Sequence, residues 1–412
     1  SLNAGSSWSQ FSHWYGGFGE QEVHADQHAI AFANGDSNKM IFGNDGGVYY
    51  SSNGGTTTES RNVGYNTSQF YSIGVAPTSS GGENFAGGLQ DNGTQAFNNA
   101  SAGINSSVET QGGDGAATDY DQDTGNYYIS NYVYNDNINQ RNLDGSLKKS
   151  INSESGSKGD FINQQDLDSN LNILYTNYTD GATYQIRRYV IPNFGAAQKT
   201  ILTDPLLQSG GSPVAFKVSP YTTGSTKLYV GTELGDLLKV DDANGGSPSW
   251  SDVGTPNFVG SISDIEFGAS ENEIFVTIQN YGVESIWYTS DAGATWVTKE
   301  GNLPDMPVKC ILQNPLNTEE VIVGTELGVW YTSNFSNASP TWKSAFNGMS
   351  NVKVTDLDMR DDNAVYASTY GRGIFSSEFK EANNDSTPPT IAITSTTSGV
   401  TDGSTTNDAT IA

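Results

Sequence analysis

Residues Leu228–Val240 read LYVGTELGDLLKV, and Val321–Tyr331 read VIVGTELGVWY. Each is an apolar run, a small pivot residue, a short turn containing Gly and a second apolar run. That is the pattern of a tight antiparallel hairpin. It recurs as MIFGNDGGVYY around Gly43, NFAGGLQDNGTQAF around Gly87, NYYISNYVYND around Ser130 and ILYTNYTDGATYQI around Thr176. Further copies are IFVTIQNYGVESIWY around Gln279 and VYASTYGRGIF around Ser368. Successive pivots lie 43 to 55 residues apart, the extremes being Gly87 to Ser130 and Thr176 to Gly231. A further short strand precedes the hairpin in several copies, as in HAIAF, VAFKV and VTDLDM.

Four short strands every 45 residues or so are the signature of a β-propeller, an all-β ring here of about eight four-stranded blades. Leucine-rich repeats are shorter, and helical solenoids would show a 3.6-residue apolar period. A second motif lies between blade strands. TSDAGATW (Thr289–Trp296) fits the Asp-box pattern S-x-D-x-G-x-T-W, and SLNAGSSW (Ser1–Trp8) fits it with Asn in the Asp place. SSNGGTTT (Ser51–Thr58) and NASPTW (Asn337–Trp342) are degraded copies. Such a box is a turn between the third and fourth strands. Asn3 or Asp291 caps backbone N–H groups, Gly5 or Gly293 permits the bend, and Trp8 or Trp296 packs between blades.

These boxes, with HADQHAI, GNDGGVYYS, GGLQDNGT, GGDG and TYGRGIF, resemble the secreted bacterial Asp-box (BNR-like) propellers of the sortilin and xyloglucanase types. The resemblance covers about residues 1–380. It implies a propeller serving as hydrolase, lectin, receptor or passive module, and in the xyloglucanase type a cleft between two propellers. Because a box at Ser1–Trp8 should follow a third strand, Trp8–Trp14 is expected to close the ring as an outer strand beside Gly373–Phe379. Residues 381–390 read as a polar linker, and 391–412 as the start of an immunoglobulin-like adhesin repeat or a disordered tail. The chain is expected to continue into further domains at both ends.

Net charge is −27, with 46 Asp and Glu against 19 Lys and Arg. Such a field repels phosphate backbones and anionic lipid surfaces, which argues against nucleic-acid and membrane partners. No apolar run is long enough to span a bilayer. Cys310, the single cysteine, lies between Val308 and Leu312 and reads as a buried strand residue. A sialidase would need an arginine triad, and arginines are few.

Two positions beyond the pivots stand Asp45, Leu89, Tyr132, Tyr178, Glu233, Tyr281, Glu326 and Tyr370, with Asp91 in the shifted second repeat and Arg372 after Tyr370. In a ring these turns share one face. Tyrosines and carboxylates there suit a glycan or a surface protein as partner. Asp26, Asp45, Asp91, Asp114, Glu233 and Glu326 are the carboxylates a glycosidase could use. His24, Asp26 and His28, with Asp114, are candidate metal ligands if an extended segment aligns them; a hydrogen-bonding role in the loop is the favoured reading. The loops GNDGG, QDNG and GGDG carry oxygen donors that favour Ca²⁺ over a transition metal. The expected role is a secreted or cell-surface recognition module. A polysaccharide hydrolase and a passive scaffold are the alternatives.

Overall fold

The computed structural model describes residues 1, 3–100, 107–254, 258–345, 348–349 and 351–382. They form two compact units, Ser1–Asn66 and the chain from Thr67 onward. The linker and adhesin-like readings fall almost wholly outside the described residues.

In the larger unit seven antiparallel sheets follow one another, six of four strands and a last one of three. Their inner strands are Gly74–Val75, Gly115–Tyr120, Gln165–Asp168, Pro213–Val218, Ile262–Phe267, Val308–Gln313 and Val354–Met359. Each neighbours the next, and the seventh returns to the first, so the blades form a closed circuit. The second strands are near-continuous apolar runs such as Leu228–Thr232, Ile274–Ile278 and Val321–Thr325. Both of their faces are covered, because each blade is packed between two others. Ile265, Ile274 and Val276 of the fifth blade meet Tyr229 and Leu237 of the fourth. From its other face Phe275 and Ile286 meet Ile311, Val321 and Val323 of the sixth. The circuit is completed by Val75, Phe85 and Phe97 against Tyr366 and Ile374. Cys310 is buried in this packing, as its sequence context indicated.

The repeat count of about eight is met by eight such sheets. The eighth, Gln27–Ala33, Asp36–Asn44, Gly47–Ser51 and Glu59–Ser60, belongs to the smaller unit. Within that unit Val23, Met40 and Phe42 form a small core.

The closing element differs from the expected Trp8–Trp14 strand. Ser12–His13 pairs in parallel with Gln21–Glu22, and the sheet ending at Glu378 has three strands among the described residues. Closure is made by the segment from Ser68 to Val75. Phe70 N donates to Thr369 O at 3.0 Å and Gly371 N to Ser68 O at 3.0 Å, with an antiparallel bridge between Gln69 and Tyr370. The physical reason is apolar: Phe70, Ile73 and Val75 are at most 3% exposed in the seam.

The turns between third and fourth strands share one hydrogen-bond scheme. Thr295 N donates to Asp291 Oδ1 at 2.8 Å and Gly293 N to Thr289 Oγ1 at 3.1 Å. Asn3 with Ser1, Gly5 and Ser7, and Asn53 with Ser51, Gly55 and Thr57, repeat it. In the sixth blade the capping side chain is Asn334, which accepts from Thr341 N at 2.9 Å across a three-residue insertion. The box therefore begins upstream of Asn337, at Thr332 and Asn334. Trp342 Nε1 donates to Lys299 O and Trp296 Nε1 to Val253 O, each reaching the preceding blade. Trp8 is instead 80% exposed.

Candidate functional site: the ring mouth and its channel

The seven second strands are equivalent in the circuit, so the residues that follow them share one rim. Leu89, Tyr132, Tyr178, Glu233, Glu326 and Tyr370 stand at or just past the strand ends, and Tyr281 three residues past Ile278. Asp45 holds the same place in the smaller unit. Leu89 is buried, and the polar side chains at its seam are Gln90 and Asp91. Asp91, at φ 56°, donates its N–H to Asp114 Oδ1 at 3.1 Å. Tyr370 OH donates to Gln90 Oε1, and its ring lies 5.8 Å from that of Tyr71. Burial raises the Tyr71 pKa, reinforced by Tyr370 and the carboxylate of Asp114. Tyr132 packs over Gly113, where φ 76° and the ring itself leave no room for a Cβ.

The other rim residues are held individually. Tyr178 OH donates to Glu154 Oε2 at 3.2 Å under the Arg187 guanidinium, 4.4 Å from the ring centre. Glu233 Oε1 accepts from Ser212 N at 3.1 Å. Glu326 lies 3.4 Å from Lys353 Nζ and 3.8 Å from Lys309 Nζ. Tyr281 is 66% exposed. Arg372 N donates to Thr369 Oγ1, tightening the last hairpin turn. Of the hydrolase candidates in the ring, Asp91 and Asp114 are brought together, while Glu233 and Glu326 hold separate seams.

Asp26 and Asp45 lie in the smaller unit. The extended alignment expected for His24, Asp26 and His28 does not hold, because Asp26 has φ 54° and the strand begins only at Gln27. A left-handed residue reverses the alternation on which that alignment depends. His28 Nε2 instead meets Asp45 Oδ1, and His24 Nδ1 lies 3.3 Å from Ala25 O.

Behind the rim the inner strands enclose a cavity of about 650 Å³. Its wall carries Asp119, Asp166, Asp264, Glu266, Asp356 and Asp358 around Lys217. The free edge of each inner strand would leave N–H groups unpaired, and the carboxylates satisfy several of them. Asp356 Oδ2 accepts from Ile73 N at 3.1 Å, Asp358 Oδ2 from Val75 N at 2.7 Å and Asp264 Oδ2 from Ile311 N at 3.0 Å. Asp166 does the same for Val218 N. Each of these bonds joins one blade to the next. Burial pushes Asp166, Asp264 and Asp358 up to about 6 and raises Asp119 and Asp356 as well. Burial works against the Lys217 ammonium, but Glu266, Asp166 and Asp264 outweigh it and its pKa rises. The reading from sequence missed this ring of carboxylates. Its signal was the alternating acid in QDLD, ISDIEF and VTDLDM.

A closed circuit of radial four-stranded sheets around a channel defines a β-propeller. Among solved structures with this fold is the β-propeller domain of Cps50 (Swd1) from Myceliophteria thermophila, with a TM-score of 0.53 and 12% identity. The match covers 76% of this chain and 98% of that one, and at this identity the likeness is one of fold. No family model matches the chain, and no curated protein matches it.

Proposed function

We propose that this propeller is an extracellular recognition module of the Asp-box kind, binding a glycan or a surface protein on the rim bearing Tyr132, Tyr178, Glu233, Tyr281, Glu326, Tyr370 and Arg372. The supporting observation is convergence: equivalent positions on successive blades place tyrosines and carboxylates around one channel mouth. Tyrosine rings offer stacking surface at low entropy cost, and carboxylates accept from hydroxyl or amide groups. The carboxylates deeper in the channel support a binding role over catalysis, since backbone N–H groups already occupy Asp166, Asp264, Glu266, Asp356 and Asp358, and the Gln165 amide occupies Asp119. A glycan array and a pull-down of surface proteins test the reading. Tyr281→Ala and Tyr370→Ala should each reduce binding several-fold, and binding unchanged in both variants removes the site.

Glycoside hydrolysis is the second reading, supported by Asp114, whose carboxylate accepts from Asp91 N, and by the charges of Asp114 and Asp91 that both act on Tyr71. That chemistry requires two carboxylates flanking the scissile bond. Release of reducing ends from β-glucans, abolished by Asp114→Asn, is its expected outcome. Absence of release counts against it.

A further inference from the structure

The inner strand of the sixth blade reads VKCILQ over Val308–Gln313. Side chains alternate between the two faces of a strand. Val308 and Cys310 are at most 2% exposed in the packing between blades, and Lys309 falls on the other face, at the wall of the channel. The second residues of the two flanking inner strands are Ser263 and Thr355. Each sends its hydroxyl to the backbone of the next blade, Ser263 Oγ to Val308 O at 2.7 Å and Thr355 Oγ1 to Phe70 O at 3.0 Å. Lys309 breaks that pattern and reaches side chains instead.

Its Nζ donates to Gln279 Oε1 at 2.8 Å and lies 3.8 Å from Glu326 Oε1, the same oxygen that stands 3.4 Å from Lys353 Nζ. Two amines thus share one carboxylate oxygen beside a cavity of about 650 Å³, all within the larger unit. The Lys309 side chain is 17% exposed, against 36% for Lys353. Burial and the Lys353 charge lower the Lys309 pKa, and Glu326 offsets them only in part. The Cys310 thiol, next along the strand, is held protonated by its own burial and brings no charge. Burying an amine next to a second cation is a general route to a nucleophilic lysine.

We propose that Lys309 is a nucleophilic amine at the neck of the channel that captures an aldehyde as a reversible imine. An uncharged ligand suits the setting, because the acidic wall behind Lys309 repels anions and the paired lysines repel cations. The nitrogen lone pair forms a C–N bond to the carbonyl carbon, and the carbonyl π pair moves to oxygen. Both N–H protons of the amine end on that oxygen, carried by Glu326, and it leaves as water while C=N forms. Nothing is oxidised or reduced, and hydrolysis runs the same path backward. None of this depends on what the outer rim binds.

Benzaldehyde with sodium cyanoborohydride, which reduces an imine to a stable benzylamine, tests this on the intact chain, with peptide mass spectrometry reading each lysine. Near neutral pH Lys309 should be labelled several-fold faster than Lys353, although exposure alone predicts the reverse order. The pH midpoint of labelling at Lys309 should move up in Lys353→Gln, which removes a like charge, and down in Glu326→Gln, which removes the opposite one. Without the reductant the adduct should disappear on dialysis. Lys309 labelled no faster than Lys353 overturns the proposal, as does a midpoint that neither variant moves or an adduct that persists without reductant. The order of labelling is read in the unaltered chain, so it stands even where a variant fails to fold.

Discussion

At the scale of single residues, related motifs have different energetic weight because of what surrounds them. Trp342 and Trp8 each end a box turn, but Trp342 is 1% exposed with its indole N–H on Lys299 O, whereas Trp8 is 80% exposed. Trp342→Ala should therefore lower the stability of the ring by about 3–5 kcal/mol in chemical denaturation, while Trp8→Ala should stay within about 0.5 kcal/mol. Lys299 follows the same logic. Its ammonium donates to Phe335 O and Asn337 O of the next blade and lies 5.0 Å from the Phe335 ring centre, so the charge is satisfied where it is buried. Tyr281, with its exposed ring, is the rim position where an alanine should change binding without changing the melting temperature, measurable in one preparation.

At the scale of elements, the inner strands show how a ring without sequential pairing between blades is stitched. Neighbouring blades pack through side chains, so inner-strand N–H groups have no ladder to join. Aspartates on the preceding blade supply the acceptors. Asp358 is a clear case: Oδ2 takes Val75 N and Oδ1 takes Met359 N, joining the last blade to the first. Asp358→Ala should open this seam and lower the cooperativity of thermal unfolding. Asp358→Asn keeps one acceptor and removes the charge, so it should retain the fold and flatten the pH dependence of stability in the acid range. Calorimetry of the two variants at two pH values separates lost hydrogen bonding from lost charge.

At the scale of the whole molecule, the carboxylates confined in the channel set the response to pH. Asp166, Asp264 and Asp358 are near 6 when folded against an ordinary 3.8, so between these values the native state binds more protons than the unfolded chain. Their contribution to stability is present at low pH and is lost as the pH rises through about 6. A higher melting temperature at about pH 5 than at about pH 7.5 is the expected result. Glu154 opposes this only at stronger acidity, since Lys199 and Arg187 hold its carboxyl near 2. The propeller itself was legible in sequence because the spacing of LYVGT, IFVTI and VIVGT reports a local fact, the length of one blade. The register of these positions was legible for the same reason: Glu233, Glu326 and Tyr370 directly follow their strands, and Tyr132 ends its own. The ring of channel aspartates was visible only as alternation in QDLD and VTDLDM, and what the aspartates bind lies on another blade. Which strand closes the circuit was not readable from local pattern at all. Trp8–Trp14 follows a plausible box, yet Phe70, Ile73 and Val75 make the seam, because burial between the first and last blades is decided by residues nearly 300 positions apart. The chain's own order thus determined the repeat, the turn chemistry and the acidic character. Tertiary structure decided the closure and the partners of the aspartates, since both depend on surfaces that exist only after distant strands have met.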